Sequence, residues 1–140
     1  MKYLYIFLIA IMFTACGDEI ADLTVEEYIE ENNLVTTELD EGVHIIIEEE
    51  GNDRRPNINS TVTVNYVGKL TNGAQFHSNT NIDLYMSRLI EGWRIGLKEI
   101  GEGGSCTLII PPSAGYGSNA TSSIPANSVL VFDMDLITVK

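Results

Sequence analysis

The chain has 140 residues, 20 of them acidic and 8 basic, for a net charge of −12, and 44% of its residues are apolar. That length suits one domain of ordinary size, and the apolar share is enough for a core and too high for a disordered chain. The acidity excludes the basic footprint that phosphates require, so no nucleic acid is expected as a partner, nor charge-driven docking on anionic lipid. The excess is local. Residues 17–50 hold 13 acids and no Lys or Arg, whereas residues 51–140 hold 7 acids and 7 bases. Such a run reads as a solvated, self-repelling segment, with an export or sorting feature as the sharper alternative.

Residues 1–15 read as a signal peptide. Lys2 supplies the positive region, and Tyr3 to Phe13 is an apolar run of about eleven residues, too short for a spanning helix of about twenty and suited to a signal-peptide core. Phe13-Thr14-Ala15-Cys16 then places small residues before a cysteine. This resembles the lipobox of bacterial lipoproteins, with Phe13 where leucine is usual. The resemblance implies cleavage before Cys16 and acylation of Cys16, hence a lipid anchor at the cell envelope, on the periplasmic or outer face of a membrane. An ordinary signal peptide with an incidental cysteine is the alternative. Two or three acyl chains would anchor stably where one would be marginal. Cys106 is the other cysteine, in the apolar run Cys106-Thr-Leu-Ile-Ile, and reads as a small buried hydrophobe. The two cysteines form no disulfide framework and no metal-site spacing.

Residues 16–42 read as an acidic stalk with one short helix from about 24 to 33. Thr24-Val25-Glu26-Glu27 is a capping box. Val25, Tyr28 and Ile29 form a narrow apolar stripe, which either rests on the domain or holds it off the membrane. The domain proper is drawn over residues 43–140. Val43 to Glu49 is β-branched, Arg55-Pro56-Asn57 marks a loop, and Thr61 to Leu70 alternates, with Val62, Val64 and Tyr66 on one face if the strand is regular. Asn72-Gly73 is a strong turn signal and Phe76 begins the return. Ile82, Leu84 and Met86 alternate again. The period then switches: Ile90, Trp93, Leu97 and Ile100 fall on one face of a short helix, which Gly101-Glu-Gly-Gly104 ends. Thr107 to Ile110 is a buried strand, Pro111 to Ser128 a long loop, and Val129 to Val139 a last strand. On it Leu130, Phe132, Met134 and Leu136 face one way, and Asp133 and Asp135 the other. Antiparallel strands with one helix packed across them make an α+β domain.

Most reactive constellations are missing. His44 and His77 lie far apart with no nucleophile nearby, and no Gly-x-Ser-x-Gly elbow occurs. Gly101-Glu-Gly-Gly precedes a strand and is no phosphate loop. Asp133 and Asp135 read as a solvated strand face or backbone-bonded carboxylates rather than an acid–base couple. No cofactor and no metal are therefore expected, and any catalysis has to come from shape and hydrogen bonds.

Five segments, in order, carry a resemblance: Val64-Asn-Tyr-Val-Gly-Lys-Leu, Asn72-Gly-Ala-Gln-Phe-His-Ser, Leu89-Ile-Glu-Gly-Trp-Arg-Ile-Gly-Leu, Ile110-Pro-Pro-Ser-Ala-Gly-Tyr-Gly and Ile124-Pro-Ala-Asn-Ser-Val-Leu-Val-Phe-Asp. Together, from about Gly42 to Lys140, they resemble the FKBP-type peptidyl-prolyl cis-trans isomerases. The N-terminal layout is similar to that of lipid-anchored bacterial members, some of them associated with gliding motility. The resemblance implies an antiparallel twisted sheet wrapped around one short helix, an apolar cleft between them, and rotation about X–Pro bonds in envelope or surface proteins as the activity. It implies Trp93 as the cleft floor, and Tyr66, Phe76 and Phe132 as aromatic walls. Leu89 and Ile90 match the aliphatic pair before Gly-Trp, with the Ile90 N–H holding a substrate carbonyl, and Ile124 borders the substrate. Tyr116 matches a loop tyrosine whose hydroxyl bonds the substrate backbone.

Two departures stand out. His77 takes the place of an aspartate that lines the pocket and arranges its hydrogen bonds; histidine is larger and can donate as well as accept. Ile82, or less well Leu84, stands where an aromatic residue usually closes the rim. The expected partners are proline-containing polypeptides, and a monomer is expected because the acidic stalk offers no dimer seam. A non-catalytic prolyl-binding or chaperone module, or a structural lipoprotein of a membrane complex, are the alternatives.

Overall fold

The computed structural model describes residues 23–140. The expected signal peptide and Cys16 lie outside the described residues. The chain runs through α1 (Val25–Glu31), β1 (Thr37–Glu38), β2 (His44–Glu49), β3 (Thr61–Leu70), β4 (Gln75–Tyr85), α2 (Glu91–Leu97), β5 (Ser105–Ile110) and β6 (Leu130–Val139). The strands form one antiparallel sheet in the order β1-β2-β5-β6-β3-β4. This is the α+β architecture expected, a sheet with a short helix packed on its inner face.

The β3–β4 hairpin turns where Asn72-Gly73 stands. Gly73 has φ +85°, in the left-handed region open to glycine, and the Asn72 side chain accepts from the Ala74 N–H at 2.9 Å. Bulges interrupt the hairpin between Val64 and Tyr66 and between Gly68 and Lys69, which bends the sheet. Val62, Val64 and Tyr66 nevertheless all join the core.

Helix α2 spans seven residues, too few to be stable alone, and is held by the sheet. Gly92 and Gly96, one turn apart, bring its backbone against β5. A Cβ on Gly92 would lie 2.5 Å from the Ile110 side chain, and one on Gly96 2.3 Å from that of Leu108. Trp93 and Leu97 then enter the core with Leu108, Ile110, Leu130, Phe132 and Leu136. Cys106 is fully buried there, and burial pushes its thiol up to about 12.

The described part of the segment read as a stalk, residues 23–42, is packed against the sheet. Thr24 and Glu27 close the reciprocal capping box. At the other end Asn33 adopts φ +51° and the Leu34 N–H reaches the Ile29 carbonyl at 3.0 Å, which stops the helix. Val25 is 4% exposed and packs on Ile109 and Val129, flanked by Tyr28, Ile29 and Leu34. Ile109 alternates with Leu108 and Ile110, so it points to the outer face, and α1 covers it. Thr37 and Glu38 pair with Ile45 and His44, and Thr36 Oγ1 bonds His44 Nδ1 at 2.8 Å. The sheet thus begins six residues before the boundary drawn at residue 43. Short apolar stripes do not state which surface they will cover.

Candidate functional site

A cavity of about 460 Å³ opens between α2, the inner face of the sheet and the loop that joins β5 to β6. Its volume falls within the range of roughly 300–1,000 Å³ typical of sites that take small ligands. Trp93 projects from the first turn of α2 and is 5% exposed. Around it stand three aromatic rings set edge to face. Tyr66 on β3 lies 4.9 Å from Trp93 at 78°, Phe132 on β6 lies 5.1 Å from it at 88°, and Phe76 on β4 meets Phe132 at 5.5 Å and 87°. Edge-to-face contact suits the ring quadrupoles, so the box is rigid as well as apolar. Gly68 makes it possible: a Cβ there would lie 2.6 Å from Phe76 and 2.7 Å from Phe132.

Polar groups gather at the rim. Tyr66 Oη and His77 Nδ1 share a hydrogen bond of 2.6 Å, and their rings stack with centroids 5.6 Å apart at 23°. The Tyr66 phenol is raised above its ordinary value of 10.0, first by burial and then by the Tyr116 phenol, so it stays protonated throughout the physiological range. Tyr116 is 40% exposed, between Gly115 and Gly117, in a loop closed by the Gly117 N–H on the Pro112 carbonyl at 2.8 Å. Among the described residues its hydroxyl has no hydrogen-bond partner, and neither has the Ile90 N–H. Both donors are therefore free to meet a bound chain. The buried Trp93 Nε1–H also finds no acceptor.

Of the residues singled out in the sequence, the cavity brings together Tyr66, Phe76, His77, Leu89 and Ile90. Trp93, Tyr116, Ile124 and Phe132 line it too. Ile82 does not border it. Ile82 and Leu84 share a face of β4; Ile82 lies opposite Val64 and packs on the core, while Leu84, nearer the turn that leads to Leu89, lines the cavity. Two residues at strand period cannot be told apart by alternation alone. Three further residues, Arg88, Thr121 and Ser123, line the cavity without a motif or period in the sequence that marks them. Arg88 adjoins the Leu89–Ile90 pair. Thr121 Oγ1 accepts from the Ile124 N–H at 3.1 Å, a turn that its place three residues before Ile124 could have suggested.

Asp133 and Asp135 lie on the opposite face of the sheet. Asp133 binds Lys69 Nζ at 2.7 Å and the Thr107 hydroxyl at 2.9 Å, and Asp135 faces Asn65 Nδ2 at 3.3 Å. They are sheet-surface carboxylates, remote from the cavity. Among the described residues no group of three or more His, Cys, Asp or Glu is arranged to hold a metal ion.

Residues 52–137 match the FKBP_C family, described as FKBP-type peptidyl-prolyl cis-trans isomerase. The isomerase FkpA of Buchnera aphidicola (from Schizaphis graminum) is 48% identical over 86 residues, covering 59% of this chain and 34% of the relative. FkpA of Escherichia coli K12 is 35% identical over 119 residues, covering 82% of this chain and 43% of the relative. The crystal structure of FkpA from Escherichia coli superposes with a TM-score of 0.77 at 34% identity, over 83% of this chain and 57% of that one. The chain thus spans less than half the length of these two curated relatives.

Proposed function

The chain belongs to the FKBP-type peptidyl-prolyl cis-trans isomerase family, and on that premise we propose that it catalyses rotation about X–Pro bonds in polypeptides at the cell envelope. The observation that carries this reading is the aromatic box floored by Trp93, with two unused donors, the Ile90 N–H and the Tyr116 hydroxyl, at its rim. Rotation about X–Pro faces a barrier near 20 kcal/mol because the amide is resonance-stabilised, and it takes tens to hundreds of seconds unaided. Water favours the planar, charge-separated amide. A dry aromatic cavity weakens that preference, and fixed donors favour a twisted geometry over a planar one. No proton has to change hands. In this scheme the box receives the prolyl ring, the Ile90 N–H holds a substrate carbonyl, and the Tyr116 hydroxyl bonds the substrate backbone.

The anchor is part of the same proposal. Cleavage before Cys16 and acylation of Cys16 would hold the domain at a membrane, on the periplasmic or outer face, and its clients would be the proteins that fold there. Metabolic labelling with a fatty acid, lost in Cys16→Ser, tests it. A link to gliding motility rests on the N-terminal layout and is tested by deleting the gene in a gliding host.

The activity is tested on the full chain in detergent by following cis–trans exchange of a proline peptide. Acceleration that falls at least tenfold in Trp93→Leu and in Tyr116→Phe, with the circular dichroism of each variant unchanged, supports the isomerase. Peptide binding without acceleration would favour the prolyl-binding module, the reading to which His77 in place of an acid lends weight.

A further inference from the structure

Charge is distributed around the cavity in an unusual way. Residues 51–140 contain seven Lys and Arg. Five are neutralised by a carboxylate: Arg54 by Glu102, Arg55 by Glu50, Lys69 by Asp133, Arg94 by Glu91 and Lys140 by Asp83. Among the described residues only Arg88 and Lys98 are left without an ion pair, and of these Arg88 lines the cavity, while Lys98 lines a separate crevice with Glu38, Asp40 and Glu99. Arg88 is the one side chain lining the cavity that carries a permanent charge. It is also positioned: its guanidinium lies over the Tyr85 ring, 5.1 Å from the centroid, a contact that restrains the long side chain without neutralising it. It stands two residues before the free Ile90 N–H.

We propose that Arg88 is a specificity-determining residue, which favours substrates with a carboxylate beside the proline. This rests on the reading of the cavity as a prolyl site. Residues 51–140, which build the cavity, are balanced at seven acids and seven bases, and no carboxylate lines the cavity, so the unpaired Arg88 leaves its mouth locally positive, and an acidic residue meets that charge when its proline is seated. The contact is solvent-exposed, which limits its strength to that of a surface ion pair, and it weakens with salt.

The test uses the full chain in detergent and three proline peptides that differ only in Glu, Gln or Lys next to the proline. At low salt kcat/KM for the Glu peptide should exceed that for the Gln peptide by about two- to fivefold, with the Lys peptide lowest. The Glu/Gln ratio should fall to about one in Arg88→Gln and below one in Arg88→Glu. A native ratio of one, or a ratio above one that survives Arg88→Gln, would overturn the assignment. Dissociation constants, read from the fluorescence of Trp93, the single tryptophan, give the same ratios independently of turnover. Charge-selective binding with no acceleration would sink the isomerase reading and keep Arg88 in its role; acceleration of the Gln peptide without charge selectivity would do the reverse.

Discussion

Replacing His77 with alanine removes two contacts from Tyr66, the 2.6 Å hydrogen bond to its hydroxyl and the ring stack at 5.6 Å. A hydrogen bond of this kind contributes about 1 kcal/mol net, and a partly exposed aromatic contact about 0.5 kcal/mol. If that energy holds Tyr66 upright at the cavity wall, its loss of about 1.5 kcal/mol lowers kcat/KM about tenfold, at 1.36 kcal/mol per decade. Tyr66→Phe removes the bond and keeps the ring, for about fivefold. The double variant has no bond left to lose, so it should fall about tenfold rather than the fiftyfold of independent effects, a coupling of about 1 kcal/mol. His77→Asp should retain most of the rate, because a carboxylate there can accept from the Tyr66 hydroxyl. Exchange NMR on a proline peptide measures all four variants under one condition. Independent, multiplicative losses would refute the argument, and so would a His77→Asp variant as slow as His77→Ala.

Gly68→Ala should destabilise the fold by about 1–3 kcal/mol, the usual cost of overpacking, since its Cβ would lie 2.6 Å from Phe76 and 2.7 Å from Phe132; urea denaturation checks the stability and Trp93 fluorescence the disturbed box. Val25→Ala removes two methyl groups from the contact with Ile109 and Val129, worth about 1.6 kcal/mol at about 0.8 per buried carbon. An unchanged urea midpoint would show that α1 is merely a tether. Cys106, raised by burial from 9.0 to about 12, should resist iodoacetamide at pH 9 in the native protein and react on unfolding, with the site assigned by peptide mass mapping. Its folded value lies above the unfolded one, so its contribution to stability is complete below pH 9 and is lost as the pH rises towards 12.

How far the site was legible varies with the kind of signal. The aromatic walls were visible because Tyr66, Phe76 and Phe132 sit in ordered motifs on strands whose alternation was plain, and Trp93 because the period changed around it. The rim was less visible. Arg88, Thr121 and Ser123 lie in a turn and a loop, where no periodicity says which way a side chain points. Ile82 and Leu84 satisfied the same alternation, and the position of β4 against the turn before α2 separated them. That His77 bonds Tyr66 could not be read from a spacing of eleven residues; it required the hairpin register that sets His77 opposite Gly68.

Local pattern alone carries the strands β3 and β6, the Asn72-Gly73 turn, the Thr24 cap, the burial of Cys106 and the outward face of Asp133 and Asp135, though it runs the helical face of α2 on to Ile100, past its end at Leu97. These follow from periodicity, propensity and capping, which act within a few residues. Packing between distant segments settles that α1 lies on Ile109 and Val129, that Leu84 and not Ile82 borders the cavity, and that five of the seven bases in residues 51–140 are neutralised while Arg88 is not. Each of these is a relation between segments distant in the chain, set by which surfaces bury one another, and no local pattern encodes that choice.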